Sequence, residues 1–484
     1  MDLLSSLTQE WPKVTFGAIS LLSYMTLVRC LRWKRYSSIH RQYQPSYQRN
    51  GTLIPEEAQK VVVTALQYDM PLLLNYSLAF ALFKTYAIAH YRLTYHASTT
   101  PSQSSISKIL MSTKELSSRE GISKRYADTE ILIASWVACP INGKVYMDST
   151  GDHGLNCTRR MEASSTDIDA PSTINVSQKA EKHGQDDPRA MIALARVNWL
   201  HSKYPIKNED YLYTLGLFAF EQERWAKLYG WRKLSELEAH AIFVFWMEIG
   251  RRMGIKDIPE TAEAFKKWIK VGGYLNFLTF ITVLFDSFHF IQEYESTALY
   301  PSKVNHDVAQ FTLDELLYAV PSAFGMKEFA RKVAISLLEA GTREGMMYPP
   351  QPAYLRLFAT SILHTVNFIQ KHFCLPRATP RFPVHRELPD FAKNWDGNAQ
   401  INKSTSKSGT KANATLYRMH PQWYQPQPWY KPESTTFLGQ LSDWMLVKLE
   451  EMGPLKFEKS GNDEVIEMAE RLQGSPIAGP WARN

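Results

Sequence analysis

DDPRAMIALARVNWLHSKYPIKNEDYLYT, residues 186 to 214, is one helix running into the start of another. Asp186 and Asp187 offer N-caps, and Pro188 suits the first helical position, where its missing N–H costs nothing. The apolar spacing then predicts a helix to about Lys203. At about 100° per residue, Met191, Leu194, Asn198 and His201 share one side. Arg189, Arg196 and Lys203 recur every seven residues on the other side. His201 is therefore expected to face inward among apolar neighbours. Two readings follow: a core histidine satisfied by one hydrogen bond, or the neutral imidazole that an axial haem ligand requires.

Moving outward, "EEAQKVVVTALQYDMPLLLNYSLAFALFKTYAIAHYRL" from Glu56 carries apolar residues at three- and four-residue spacing. The same texture returns over 210–295 and 326–373, so helices are expected throughout. No phosphate-binding glycine loop follows a strand-like run, which disfavours nucleotide-binding α/β folds. "GGYLNFLTFITVLF" at 272–285 is too short for a membrane span and reads as a buried core helix. The expected architecture is all-α. One large helical domain covers 53–374, with a surface insertion at 147–187 where periodicity is lost. A linker rich in proline and aromatic residues follows at 375–435, then a helical extension over 436–484, with helices at 436–453 and 455–472.

Residues 1–35 read as an N-terminal membrane anchor. "VTFGAISLLSYMTLV" holds no charge, and "RCLRWKRY" places Arg29, Arg32, Lys34 and Arg35 directly after it. Snorkelling cations lengthen so short a span, and a cationic flank predicts that the rest of the chain is cytoplasmic. No small-residue cleavage site follows, so the segment is expected to be an uncleaved anchor. Sequons starting at Asn50, Asn75 and Asn156 keep a lumenal orientation open.

Composition narrows the function. The net charge of +7 is spread over 484 residues without a basic block, which argues against nucleic acid as a partner. Four cysteines, Cys30, Cys139, Cys157 and Cys374, lie far apart and suggest neither structural zinc nor covalent haem. A di-iron carboxylate bundle needs paired Glu-x-x-His, because residues three apart share a helix face. None of the thirteen histidines has a Glu three residues upstream. Zincin and serine-hydrolase motifs are missing as well.

A second segment, "SKRYADTEILIASW", lines Arg125, Thr129, Leu132 and Trp136 on one stripe at spacings of four, three and four. Arg125 there could snorkel or pair with Asp128, and Thr129 could bond back to its own helix. A guanidinium and a hydroxyl in a dry pocket could instead hold a haem propionate or steer bound oxygen.

Together, "KRYADTEIL" at 124–132, "RVNWLH" at 196–201, "NEDYLYTL" at 208–215, "YGWRKLSELE" and "FWMEIGRRMGI" between 229 and 255 resemble the haem-dependent rubber oxygenases, or latex-clearing proteins. The likeness is greater to the fungal endoplasmic-reticulum-bound oxygenases of the mycophenolic acid type, and covers about residues 120–350. It implies non-covalent haem b with His201 as the proximal ligand, Arg125 and Thr129 on the distal side, and Thr214 at the cofactor. Where latex-clearing proteins have a lysine before the distal threonine, this chain has Asp128, an anion beside the oxygen site that implies a different acid–base step. Arg196 falls about 140° from His201 on a regular helix and reads as a structural ion-pairing residue. The function implied is a single-pass haem oxygenase of the endoplasmic reticulum membrane. With dioxygen it would cleave a carbon–carbon double bond in a lipophilic isoprenoid or polyketide. Hydroxylation, dehydrogenation or rearrangement on the same scaffold, with Asp128 as general base, is the first alternative. A haem-free helical protein that binds lipid at the membrane is the second.

Overall fold

The computed structural model describes residues 2–87, 106–113, 119–145, 185–271, 301–317, 320–380, 384, 452–457, 460–477 and 481. Among them the protein is helical, as the spacing predicts. Its one strand pairing is a two-residue antiparallel bridge, β1 (Lys144–Val145) with β2 (Gln185–Asp186). The expected core helix at 272–285, the insertion over 147–184, the linker and the helix at 436–453 lie outside the described residues. The chain divides into two compact units, with boundaries inside one helix, after Asp128, and at the end of another, before His201.

The first unit opens with α1 (Asp2–Asn50), an uninterrupted 49-residue helix, then α2 (Pro55–Val63) and a π-helical turn over Thr64–Asp69. α3 (Pro71–Ala87), α4 (Ile106–Thr113) and the first half of α5 (Arg119–Ala138) follow. Among the described residues no helix is long and apolar enough to cross a membrane, so the single span expected within residues 1–35 is not supported, its apolar run being short and followed at once by four cations. After His201 come α7 (Asn208–Tyr229), α8 (Glu236–Arg252), α9 (Ala262–Val271), α10 (Lys303–Leu316), α11 (Met326–Leu337), α12 (Ala340–Gly345) and α13 (Ala353–His372).

α8 begins where Ser235 and Glu238 form a reciprocal capping box, each side chain taking the other's backbone N–H. α7 packs on α3 and α8. The α3–α7 seam is held by a closed ring of ion pairs. Lys84 reaches Glu221 at 2.9 Å and Glu339 at 2.8 Å, and Arg224 reaches both carboxylates at 2.6 Å. Each charge in the ring has two opposite neighbours, which offsets its loss of water. Beside it, Phe83, Tyr86, Ile122, Val308, Leu313 and Met346 form a buried apolar cluster joining α3, α5, α10 and the end of α12.

A second tie closes around the π-turn. Arg232, buried just before α8, donates to Asp69 and to Glu238 at 2.6 Å each. Its guanidinium also lies 4.8 Å from the Tyr36 ring, so α1, the π-turn and α8 share one cation.

The second unit contains the rest of α5, the β1–β2 bridge, α6 (Arg189–His201) up to Leu200, and α14 (Asn462–Gln473). α6 starts as its sequence predicts: the Asp187 carboxylate accepts the Arg189 backbone N–H at 3.3 Å, capping the helix. It ends at His201, two residues before the expected stop. The expected outward side of α6 requires correction, because Arg189 and Arg196 are both fully buried. Arg189 folds back on Asp187 as a two-pronged pair at 2.8 Å. Arg196 donates to the carbonyls of Met452, Phe457 and Ser460 at 2.7, 2.8 and 2.7 Å, which gives it a structural role through backbone carbonyls. Periodicity identified two sides of the helix, but its polar side meets more protein rather than water.

Candidate functional site

His201 sits at the last position of α6, where the helix breaks. Its carbonyl accepts the Tyr204 N–H at 3.0 Å, turning the chain toward α7. The far side of that turn is fixed by Asn208. The Asn208 side chain donates to the Lys256 carbonyl and accepts the Lys256 N–H, both at 2.9 Å, tying the start of α7 to the loop after α8. Two short connections thus carry His201 to the foot of α7, where its ring lies 5.5 Å from that of Tyr211.

The imidazole is half-buried, with Nδ1 closed off from solvent and without a hydrogen-bond partner. Burial, and secondarily the positive charge of Arg125, lowers its pKa to about 4. The ring is therefore neutral at physiological pH, with a lone pair that no proton occupies. Among the described residues, the hydrogen bond that a satisfied core histidine would make is missing at Nδ1. Burial, with Asp210 adding to it, raises the Tyr211 phenol to about 12, so this neighbour stays protonated.

The Arg125 charge acts on this ring and on Tyr86 of α3 alike. Arg125 is half-buried on α5, and its charge favours the ionised form of the Tyr86 hydroxyl, which burial otherwise raises strongly. Tyr86 is fully buried and shares a hydrogen bond with Thr312 at 3.1 Å. Thr214 lies one turn beyond Tyr211. Its hydroxyl donates to the Asp210 carbonyl at 2.8 Å, which leaves the oxygen lone pairs available as acceptors. On α5, Asp128 is fully buried and Thr129 is exposed. Ile131, Leu132, Ser135 and Trp136 are buried with Asp128, so the inward arc of α5 runs through Asp128 rather than Thr129.

The structure thus brings Arg125, His201, Tyr211 and Thr214 into the first unit, together with Asp128, while Thr129 begins the second. Tyr211 and Tyr86 are functional candidates that sequence reasoning passed over. Tyr211 left a signal, lying three residues before Thr214 on the same helical face. Tyr86 left none, since an aromatic residue in an apolar run looks like ordinary core. Among the described residues, no group of three or more His, Cys, Asp and Glu side chains is placed to hold a metal ion. The donor here is one neutral imidazole, whose ring neighbour is Tyr211. A single neutral imidazole is the kind of donor that a haem iron would accept from a protein.

Comparison with known proteins places the same segment in context. Residues 187–367 match the family described as "ER-bound oxygenase mpaB/B'/Rubber oxygenase, catalytic domain". The chain is 26% identical to the ER-bound oxygenase mpaB' of Penicillium brevicompactum, over 96% of its own length and 93% of that protein. It is 28% identical to the ER-bound oxygenase mpaB of the same organism, over 72% of this chain and 71% of that one. It is 27% identical to the ER-bound oxygenase mpaB of Penicillium roqueforti (strain FM164), over 64% of this chain and 83% of that protein.

Proposed function

Because residues 187–367 match the catalytic-domain family of the ER-bound oxygenases mpaB/B' and rubber oxygenase, we propose that this chain is a haem-dependent oxygenase working at the endoplasmic reticulum membrane. Its substrate in this reading is a lipophilic isoprenoid or polyketide, cleaved at a carbon–carbon double bond. The observation that carries the reading is the His201 ring, neutral, shut off at Nδ1 and without a hydrogen-bond partner at that nitrogen. His201 would hold the cofactor, with Arg125 and the Thr214 hydroxyl as polar groups facing it. When bound, haem supplies the reduction and activation of dioxygen.

The chain's own residues account for the rest. Arg125 keeps a fixed positive charge beside the imidazole, which opposes its protonation and stabilises negative charge that develops on the substrate's oxygen atoms. Membrane association through α1 suits a substrate that partitions into lipid. Its side chains Phe16, Ile19, Leu22 and Leu27 are exposed, and from Trp11 to Asn50 the helix carries no acidic residue.

Asp128 favours a second reading. A fully buried carboxylate three residues from Arg125 suits a base that removes a proton, as hydroxylation, dehydrogenation or rearrangement would need. Product analysis under labelled dioxygen distinguishes the two. Two carbonyl fragments carrying label support cleavage, whereas one unfragmented oxidised product supports the alternative. Haem quantification on the wild type beside His201→Ala tests the cofactor itself. Loss of pigment with helicity retained is expected, and equal pigment in both proteins would remove His201 as ligand.

A further inference from the structure

α13 is amphipathic the wrong way round for a helix at the edge of a water-soluble core. Leu355 and Ala359 are buried, and Asn367 and Gln370, on the same side, donate to the carbonyls of Tyr229 and Asp69, the latter at 3.1 Å. That side is the docked one. Around the rest of the helix Tyr354, Leu357, Phe358, Ile362, Phe368 and Ile369 are all exposed. A soluble surface scatters single apolar residues, and six large exposed ones between residues 354 and 369, about four turns broken by Ser361 and Thr365, call for something to cover them.

The stripe does not stop at α13. Phe329 of α11 stacks edge-on against Phe358 with ring centres 5.5 Å apart, and Phe329 is itself exposed. Immediately before α11, Phe324 holds a left-handed backbone at φ 54° and is fully exposed, so local strain displays an aromatic ring to the outside. At the other end, the chain leaving α13 is stitched to α1. The Tyr24 hydroxyl donates to the Phe373 carbonyl at 2.7 Å, and Arg35 donates to the Arg377 carbonyl at 3.1 Å. The exposed apolar surface of α13 therefore adjoins that of α1.

Charge selects among possible occupants. α13 contains no Asp or Glu, and its formal charges are Arg356 and Lys371. With Arg29 and Lys34 exposed on the adjoining part of α1, the apolar face has cations beside it, and neither α13 nor α1 from Trp11 to Asn50 carries an acidic residue. A broad apolar stripe edged by cations is the pattern of a helix lying in the interface plane of an anionic bilayer. We propose that the outward face of α13, with Phe324 and Phe329, seats flat in the headgroup layer of an anionic membrane as a second contact beside α1. This rests on the membrane reading above and deepens it. The protein is held by a surface and not by one helix alone, which fixes how the first unit faces the lipid.

The test is flotation of the full chain with phosphatidylcholine vesicles, with and without phosphatidylserine. Wild type is compared with Phe358→Glu/Ile362→Glu on α13 and Leu21→Glu/Leu22→Glu on α1. All these side chains are exposed, so helicity and melting temperature should match wild type, and both are measured alongside. The α13 pair is expected to weaken binding to phosphatidylserine vesicles at least tenfold, also in the α1-substituted background. Amide exchange in α13 should slow when vesicles are added to the wild type. Unchanged binding by the α13 pair overturns the proposal. So does a wild-type dimer that this pair dissociates without affecting flotation, which would assign the face to a second copy. Loss confined to the α1 pair refutes the α13 seat and leaves membrane association standing. No flotation of the wild type refutes both, while pigment content still decides the oxygenase reading independently.

Discussion

The positive charge of Arg125 bears on the imidazole of His201, and burial and that charge together hold the ring neutral down to about pH 4. Burial is the larger cause. Replacing Arg125 with Gln should therefore raise the His201 pKa only part of the way back to its ordinary value, as read from the imidazole resonances of haem-free protein. The sign of the stability effect follows from linkage. Between the ordinary 6.5 and about 4 the unfolded chain binds a proton that the folded chain does not, so the folded state loses stability as pH falls through that window. The loss amounts to about 3 kcal/mol at most, and His201→Gln should lack that component of the slope. A wild-type ring titrating near 6.5 would refute the dry environment.

Arg232 neutralises two buried carboxylates at once, Asp69 and Glu238. Arg232→Met strands both and should cost roughly 3–5 kcal/mol in denaturant unfolding at neutral pH. Burial already holds the Asp69 carboxyl above its ordinary value, and loss of the Arg232 charge in that variant raises it further. The lost stability should accordingly return in part as pH falls, and disappear again as pH rises through the raised Asp69 value. Asp69→Asn/Glu238→Gln in the same background should recover part of the loss at neutral pH. A variant equally destabilised at every pH would show that packing on Tyr36 and Trp231, not charge, is what Arg232 supplies.

How far the sequence carried depends on what each residue's signal was about. Helicity was legible because three- and four-residue spacing records one-sided burial. The start of α6 was legible because Asp187 and Pro188 act locally. Burial of Arg189 and Arg196 was not, because their partners, a neighbouring carboxylate and three carbonyls beyond residue 450, leave no mark in the helical period. Thr129 and Asp128 exchanged expected burial because two residues 100° apart both flank the α5 stripe, and only tertiary packing chooses between them. His201 was singled out correctly as a polar group on an inward face. That it would lack a hydrogen bond at Nδ1 was not in the pattern.

Arg196 spends its guanidinium on carbonyls of the segment 452–460, so it fastens that segment to α6 five residues before His201. Arg196→Met leaves three carbonyls without their donor and should destabilise by at least about 3 kcal/mol. Arg196→Lys keeps the charge but cannot span three acceptors, and should recover less than half of the difference. The check is denaturant unfolding, with amide exchange showing loss of protection in α14 ahead of α7. Equal stability of the Lys variant and wild type would mean that the charge alone matters.

Gly461 meets two requirements at once, and they can be separated. It precedes α14 at φ +76°, where a side chain is strained, and a Cβ there would lie 2.2 Å from the Trp199 ring. Gly461→Ala should therefore cost the left-handed penalty of about 1–2 kcal/mol together with the cost of displacing a buried indole. The indole is packed edge-on against Phe457 at 5.6 Å, so it has little room to yield. A double-mutant cycle with Trp199→Ala isolates the collision. In that background Gly461→Ala should cost only the backbone share, and the coupling between the two sites should exceed about 1 kcal/mol. Additive effects would mean that the indole moves aside freely, and that the glycine is required for its backbone conformation alone.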